Sequence, residues 1–194
     1  MLKITKIPSR HDIACVNWPE AFPYKPQVSV ELSHSGDCLH IRYNVCEKAV
    51  RGVCAADREH AWEDSCVEFF FAPREDGQYY NVECTCTGKI YMCVGADRHE
   101  RQFLPEEAYS SIRRRPSLGS APVGLIGQTT EWSVGLDIPA SVFGLESFSG
   151  LKARGNFYKC GDLLPERHFV SMFPIGTPKP DFHRPEYFEV IEFE

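Results

Sequence analysis

The sequence predicts an all-β protein: an antiparallel β-sandwich, jelly-roll-like, of nine to ten strands with at most one or two short helices. Three observations predict it. Apolar and polar residues alternate in short runs along most of the chain. Turn signals such as Ser35-Gly36-Asp37, Asp76-Gly77 and Thr87-Gly88 separate those runs. Segments with helical periodicity are almost absent, which leaves sheet packed on sheet as the way to bury the apolar faces.

Taken in order, residues 1–26 form an irregular lead-in, rich in Pro and aromatics (Pro8, Trp18, Phe22, Tyr24), that packs across a sheet. It carries too many large apolar residues for a disordered tail. Gln27 to Leu32 and Leu39 to Val45 alternate on either side of a short turn and predict a hairpin. Glu47 to Ala61 is a polar connection. The pieces 66–72, 79–86 and 89–94 predict an antiparallel meander.

In the first of these, Val67, Phe69 and Phe71 face the core, and Cys66, Glu68 and Phe70 face the other way. Pro105-Glu106-Glu107 can open a short helix. Val123 to Gly127, Trp132 to Ile138, Leu151 to Tyr158, Phe169 to Phe173 and Tyr187 to Phe193 complete the strands, with one helical turn at 140–144. The 194 residues suit one domain, 1–194, with no repeat and no dividing linker.

A net charge of −6 argues against a nucleic-acid surface. The one basic run, Arg113-Arg114-Arg115, lacks interleaved aromatics and reads as a solvated loop. No apolar run approaches the roughly 18 residues of a membrane helix, and the first residues contain no secretory apolar region. The expectation is therefore a cytoplasmic protein with no membrane or nucleic-acid partner.

Nine cysteines without a CxxC pair read as small buried hydrophobes in a reducing compartment rather than disulfides or a zinc site. His34, His40 and His60 read as surface residues. No GxSxG, GxGxxG or P-loop occurs.

The residues left to carry chemistry lie opposite the apolar strand faces: Glu68, then Asn81 and Glu83, then Arg154, Asn156 and Tyr158. In an ordinary sandwich that face meets water. Here large aromatics, Trp62, Tyr79, Phe182 and Tyr187, fall at nearby loop ends. Aromatic rings offer faces on which the C–H surface of a sugar stacks, while amides and charged groups bond its hydroxyls; concave sites follow that pattern. Asp64 and Glu68 form the other notable pair; they suit hydrogen-bonding roles first, Asp64 accepting backbone N–H groups in its turn, and acid–base work in glycoside hydrolysis only as the minor alternative.

The segment Trp62-Glu63-Asp64-Ser65-Cys66-Val67-Glu68-Phe69-Phe70 resembles the W-E-x-D-S-V-E-x-F signature of family 9 carbohydrate-binding modules. It looks closer still to the stand-alone bacterial family 9-like proteins often encoded with polysaccharide-use genes. Tyr79-Tyr80-Asn81-Val82-Glu83, Asn156 to Asp162 (NFYKCGD) and Pro180 to Phe188 (PDFHRPEYF) are similar to further segments of that subgroup, in the same order.

The resemblance implies a DOMON-like β-sandwich that binds mono- or oligosaccharide between aromatic rings, with no catalytic residue. It implies Trp62 as the first ring, Glu68 as the acid on sugar hydroxyls, and Phe182 or His183 in place of a second Trp. Asn81, Glu83, Asn156 and Lys159 are the further expected ligand-binding residues. No cofactor is expected; structural calcium belongs to the family, with ligands unassigned on this chain. The competing expectations are a sugar-active, glycoside hydrolase-like enzyme and an interaction domain whose sugar pocket has decayed.

Overall fold

The computed structural model describes residues 1–194. The strands are β1 (Leu2–Ile4), β2 (Ser9–Asp12), β3 (Cys15–Val16), β4 (Gln27–His34), β5 (Cys38–Glu47), β6 (Val50–Gly52), β7 (Cys66–Ala72), β8 (Tyr79–Thr85), β9 (Ile90–Gly95) and β10 (Arg101–Phe103). After the single α-helix, α1 (Glu106–Ser111), come β11 (Arg113–Pro116), β12 (Gly124–Ile126), β13 (Thr130–Pro139), β14 (Lys152–Cys160), β15 (Phe169–Ser171) and β16 (Glu189–Phe193). Two sheets make the sandwich. The larger runs β1-β16-β14-β7-β8-β9-β10, with β15 and β3 attached through β14; the smaller runs β11-β13-β5-β4-β2. β6 and β12 form a separate ribbon.

The antiparallel sandwich, the β4–β5 hairpin and the β7–β8–β9 meander are as the alternation predicts. Strand segments outnumber the nine to ten expected because pieces of two to four residues also pair. The lead-in is not irregular. β1 pairs in parallel with β16, β2 edges the smaller sheet against β4, and β3 joins β15. The arginine run is not a loop either. It is β11, paired to β13, where Arg114 bonds Asp57 and Arg115 bonds Asp137.

Between the sheets lies one large core that includes Val67, Phe69, Phe71, Phe157, Tyr43 and Trp132. The outer face of the larger sheet is not wet. Trp18, Ile175, Phe182 and Phe188 fold back over Phe70, Tyr79 and Tyr158 and build a second apolar cluster. A carboxylate at position 68 is therefore buried even though it points away from the main core. His34, expected at the surface, is buried and bonded to the Glu194 carbonyl. All nine cysteines are free thiols, six of them buried. No helix is long and apolar enough to cross a membrane.

Candidate functional site

On that outer face, antiparallel register sets four side chains in one row across the sheet: Tyr158 on β14, Glu68 on β7, Glu83 on β8 and Tyr91 on β9. Above the two carboxyls opens a cleft of about 250 Å³. Trp62, Arg98, Arg101, Cys160, Asp162, Asp181, Phe182 and His183 line the rest of it.

Trp62 sits in a 3-10 turn, Ala61–Glu63, that ends just before β7. Two chains of bonds fix this turn. Asp64 is fully buried and takes Arg51 and the backbone N–H groups of Val53 and Cys54, so it is a structural turn residue outside the cleft. The backbone N–H of Asp162 donates to the Trp62 carbonyl at 2.9 Å. The indole is half-buried; His60 stacks on it at 4.5 Å and Tyr91 meets it edge-on at 5.0 Å.

Glu68 and Glu83 are 3% and 2% exposed. The Cys160 thiol donates to Glu68 Oε1 at 3.0 Å, and Asn81 Nδ2 donates to Glu83 Oε1 at 2.8 Å. Glu83 Oε2 and Asn81 Oδ1 are buried with no partner, an uncommon and costly condition for polar atoms. Burial pushes both carboxyls up, Glu68 to about 7, and the charge of Glu68 raises Glu83 further.

His183 is half-buried and held from both sides. Arg101 Nη1 donates to its Nε2 at 3.2 Å, so Nδ1 carries the proton and donates to Tyr79 Oη at 2.7 Å. Burial, with Arg101 and Arg98, lowers its pKa to about 2, so the ring is neutral. Arg98 pairs with Asp181 at 3.1 Å. Arg101 lies over the Tyr91 ring and 3.8 Å from Glu83.

Of the residues singled out from sequence, Trp62, Glu68, Glu83, Phe182 and His183 line the cleft, and Asn81 buttresses Glu83 from beneath. Phe182 is buried and stacked on Tyr158 at 4.2 Å, so its ring belongs to the second apolar cluster and His183 is the more exposed ring on that side.

Asn156 and Lys159 lie elsewhere. Asn156 fills the seam where one edge of β14 passes from β16 to β15. It donates to the Phe173 carbonyl and accepts from the backbone N–H groups of Phe157 and Phe173. Lys159 points between the sheets, fully buried, paired with Glu47 and donating to the Cys160 carbonyl and His168. Its position beside Tyr158 in an alternating strand already places it on the core face.

The arginines of the cleft escaped sequence reasoning. Arg98 and Arg101 arrive through the β9–β10 hairpin, in a stretch with no alternation to flag it. Calcium takes six to eight oxygen ligands. The close-donor cluster of Cys66, Glu68 and Cys160 offers two sulfurs and does not fit it. A larger depression of about 660 Å³ lies on the smaller sheet near Ser29 and Asn44; the one aromatic ring in its lining, Trp132, is buried.

No curated protein matches the chain. Among solved structures, a proposed carbohydrate-binding protein of Bacteroides uniformis is 38% identical over 96% of this chain and 86% of its own, with a TM-score of 0.93. A family 9 carbohydrate-binding module of Caldicellulosiruptor kristjanssonii, solved with cellotriose, is similar in fold at 11% identity and TM-score 0.58, over 100% of this chain and 93% of its own. Its glucose complex gives 10% identity and TM-score 0.57, over 100% and 95%. The sequence profile of carbohydrate-binding family 9 matches residues 1–193, and with nearly the whole chain inside that match, the protein belongs to carbohydrate-binding family 9.

Proposed function

We propose that the cleft binds one sugar ring, free or at a chain end, without transforming it. The observation that carries this reading is the unpaired Glu83 Oε2 at the base of a cleft walled by a half-buried indole. A buried polar oxygen of that kind calls for a hydrogen-bond partner, and a pyranose brings several hydroxyls, each able to donate or accept, on a ring whose C–H face suits an aromatic wall. Ligand pockets for drug-sized molecules run roughly 300–1,000 Å³. At about 250 Å³ this cleft favours a single ring over a length of polysaccharide. Family membership and the glucose and cellotriose complexes of the similar modules support the same class of ligand.

Calorimetric titration with glucose and cellotriose tests it. The wild type gives a saturable signal. Trp62→Ala loses it while keeping its circular dichroism spectrum and melting temperature within a few degrees. No heat with the wild type at millimolar sugar overturns the reading and leaves an interaction domain. A second reading has one observation in its favour: Glu68 and Glu83 are directly opposed carboxyls, the residue types of glycoside hydrolysis. Under the binding reading, purified protein incubated with aryl glycosides and cellotriose yields no product.

A further inference from the structure

At the foot of the cleft, Cys66 on β7 and Cys160 on β14 are directly opposed across the strand pair, and Glu68 follows Cys66 on the same face. The two sulfurs and one carboxylate oxygen of this trio lie within 4.8 Å of one another, and all three residues are buried. Cys160 and Glu68 line the cleft, whereas Cys66 lies behind them. We propose that Cys66, Cys160 and Glu68 form a three-ligand zinc site whose fourth position faces the cleft.

The geometry requires little movement. Zinc–sulfur bonds of about 2.3 Å and zinc–oxygen bonds of about 2.0 Å place tetrahedral sulfurs roughly 3.8 Å apart, and sulfur and oxygen about 3.5 Å apart. The present Cys160 Sγ to Glu68 Oε1 distance is 3.0 Å. Side-chain shifts of about 1 Å therefore admit the ion. Two sulfurs with one carboxylate select a thiophilic cation over calcium or magnesium. Three protein ligands with an open fourth position is also the arrangement zinc adopts where it meets small molecules.

The ligands come from rigid elements: both cysteines sit in the central strands of the larger sheet, and the Asp162 N–H to Trp62 carbonyl bond closes the turns above them. Binding displaces the two thiol protons, and the proton held by the protonated fraction of Glu68, to solvent and leaves two thiolates and a carboxylate on the metal. A sugar hydroxyl or a water completes the tetrahedron, so the ion and the sugar wall share one cleft while their ligands differ.

The experiment uses the full chain, reduced, stripped with chelator and kept anaerobic, with Co²⁺ as the optical probe. The expected result is one equivalent bound, with thiolate-to-cobalt charge-transfer absorption in the near ultraviolet. One equivalent of Zn²⁺ then abolishes that band, and between two and three protons are released per zinc in calorimetry across buffers near pH 7, two from the thiols and the remainder from Glu68. Cys66→Ser and Cys160→Ser each lose the band; Cys38→Ser, on the other sheet, keeps it.

Because either serine variant can fail to fold, X-ray absorption of the zinc-loaded wild type gives an independent reading, with two sulfurs expected in the first shell. A shell without sulfur, no uptake by the reduced chain, or a band that survives both serine substitutions overturns the proposal. Glucose titrations of the stripped and loaded protein are read separately, so a failure of sugar binding leaves the cobalt and zinc results standing.

Discussion

Glu83 shows how much one side chain can say about a cleft. Asn81 satisfies one of its oxygens and leaves the other buried without a donor. Glu83→Gln replaces part of that acceptor capacity with an amide donor of the same shape. The expected result is a sugar affinity about two- to tenfold weaker, about 0.5–1.5 kcal/mol, the net range for a hydrogen bond between neutral groups. Calorimetry on a variant with unchanged secondary structure checks it, and an unchanged Kd removes Glu83 from the site. Trp62, Glu68 and Glu83 are legible because each stands in a run whose alternation or aromatic company marks it; His183 is singled out only by the family resemblance. Arg98 and Arg101 are not legible, since a charged residue in an unpatterned loop carries no sign of where the loop folds. Asn156 drew attention by residue type. Its amide in fact imitates backbone, and only the pairing of β14 with two successive partners reveals why.

That seam belongs to the scale of elements. β14 holds β7 along one edge, and along the other β16 up to Gly155 and then β15 from Tyr158. Asn156 closes the gap between the two. Asn156→Ala leaves the Phe173 carbonyl and two N–H groups without their partner. A loss of about 1–3 kcal/mol in urea unfolding is expected, with sugar affinity unchanged in the folded fraction. The long strands were readable because alternation over seven to ten residues fixes both type and face. The short ones were not. β1 is three residues long and gains its partner, β16, from the far end of the chain, which no local pattern can announce. β11 hid behind three arginines because an edge strand can place charge on both sides when partners such as Asp57 and Asp137 await it.

Across the whole molecule, one buried ion pair ties the sheets together. Lys159 on the larger sheet meets Glu47 on the smaller at 2.8 Å, with neither exposed, and Trp132 Nε1 donates to the same carboxylate at 2.7 Å. Lys159→Met strands the Glu47 charge and is expected to cost about 3–5 kcal/mol in denaturant unfolding. Adding Glu47→Gln recovers most of it, so a double variant as unstable as the single would count against the pair as the cause. His168 accepts from the Lys159 ammonium at 2.8 Å, and burial and that cation lower its pKa to about 2.

Its folded value lies below its unfolded value near 6.5, so the unfolded chain binds the extra proton. Stability contributed by neutral His168 is complete above about pH 6.5 and is lost as the pH falls towards 2, roughly 2 kcal/mol by pH 5. His183 behaves in the same sense. Unfolding midpoints at pH 7.5 and 5.0 check this, with a smaller difference expected for His168→Gln. The parallel partnership of β1 with β16 also has a bearing on biosynthesis. Leu2 and Ile4 cannot settle until Ile191 and Phe193 have left the ribosome, and the roof over Glu68 needs residues near 182 as well. A nascent chain therefore leaves the outer face around Phe70 and Tyr158 uncovered until residues 169–188 have emerged, and the cleft is assembled only then.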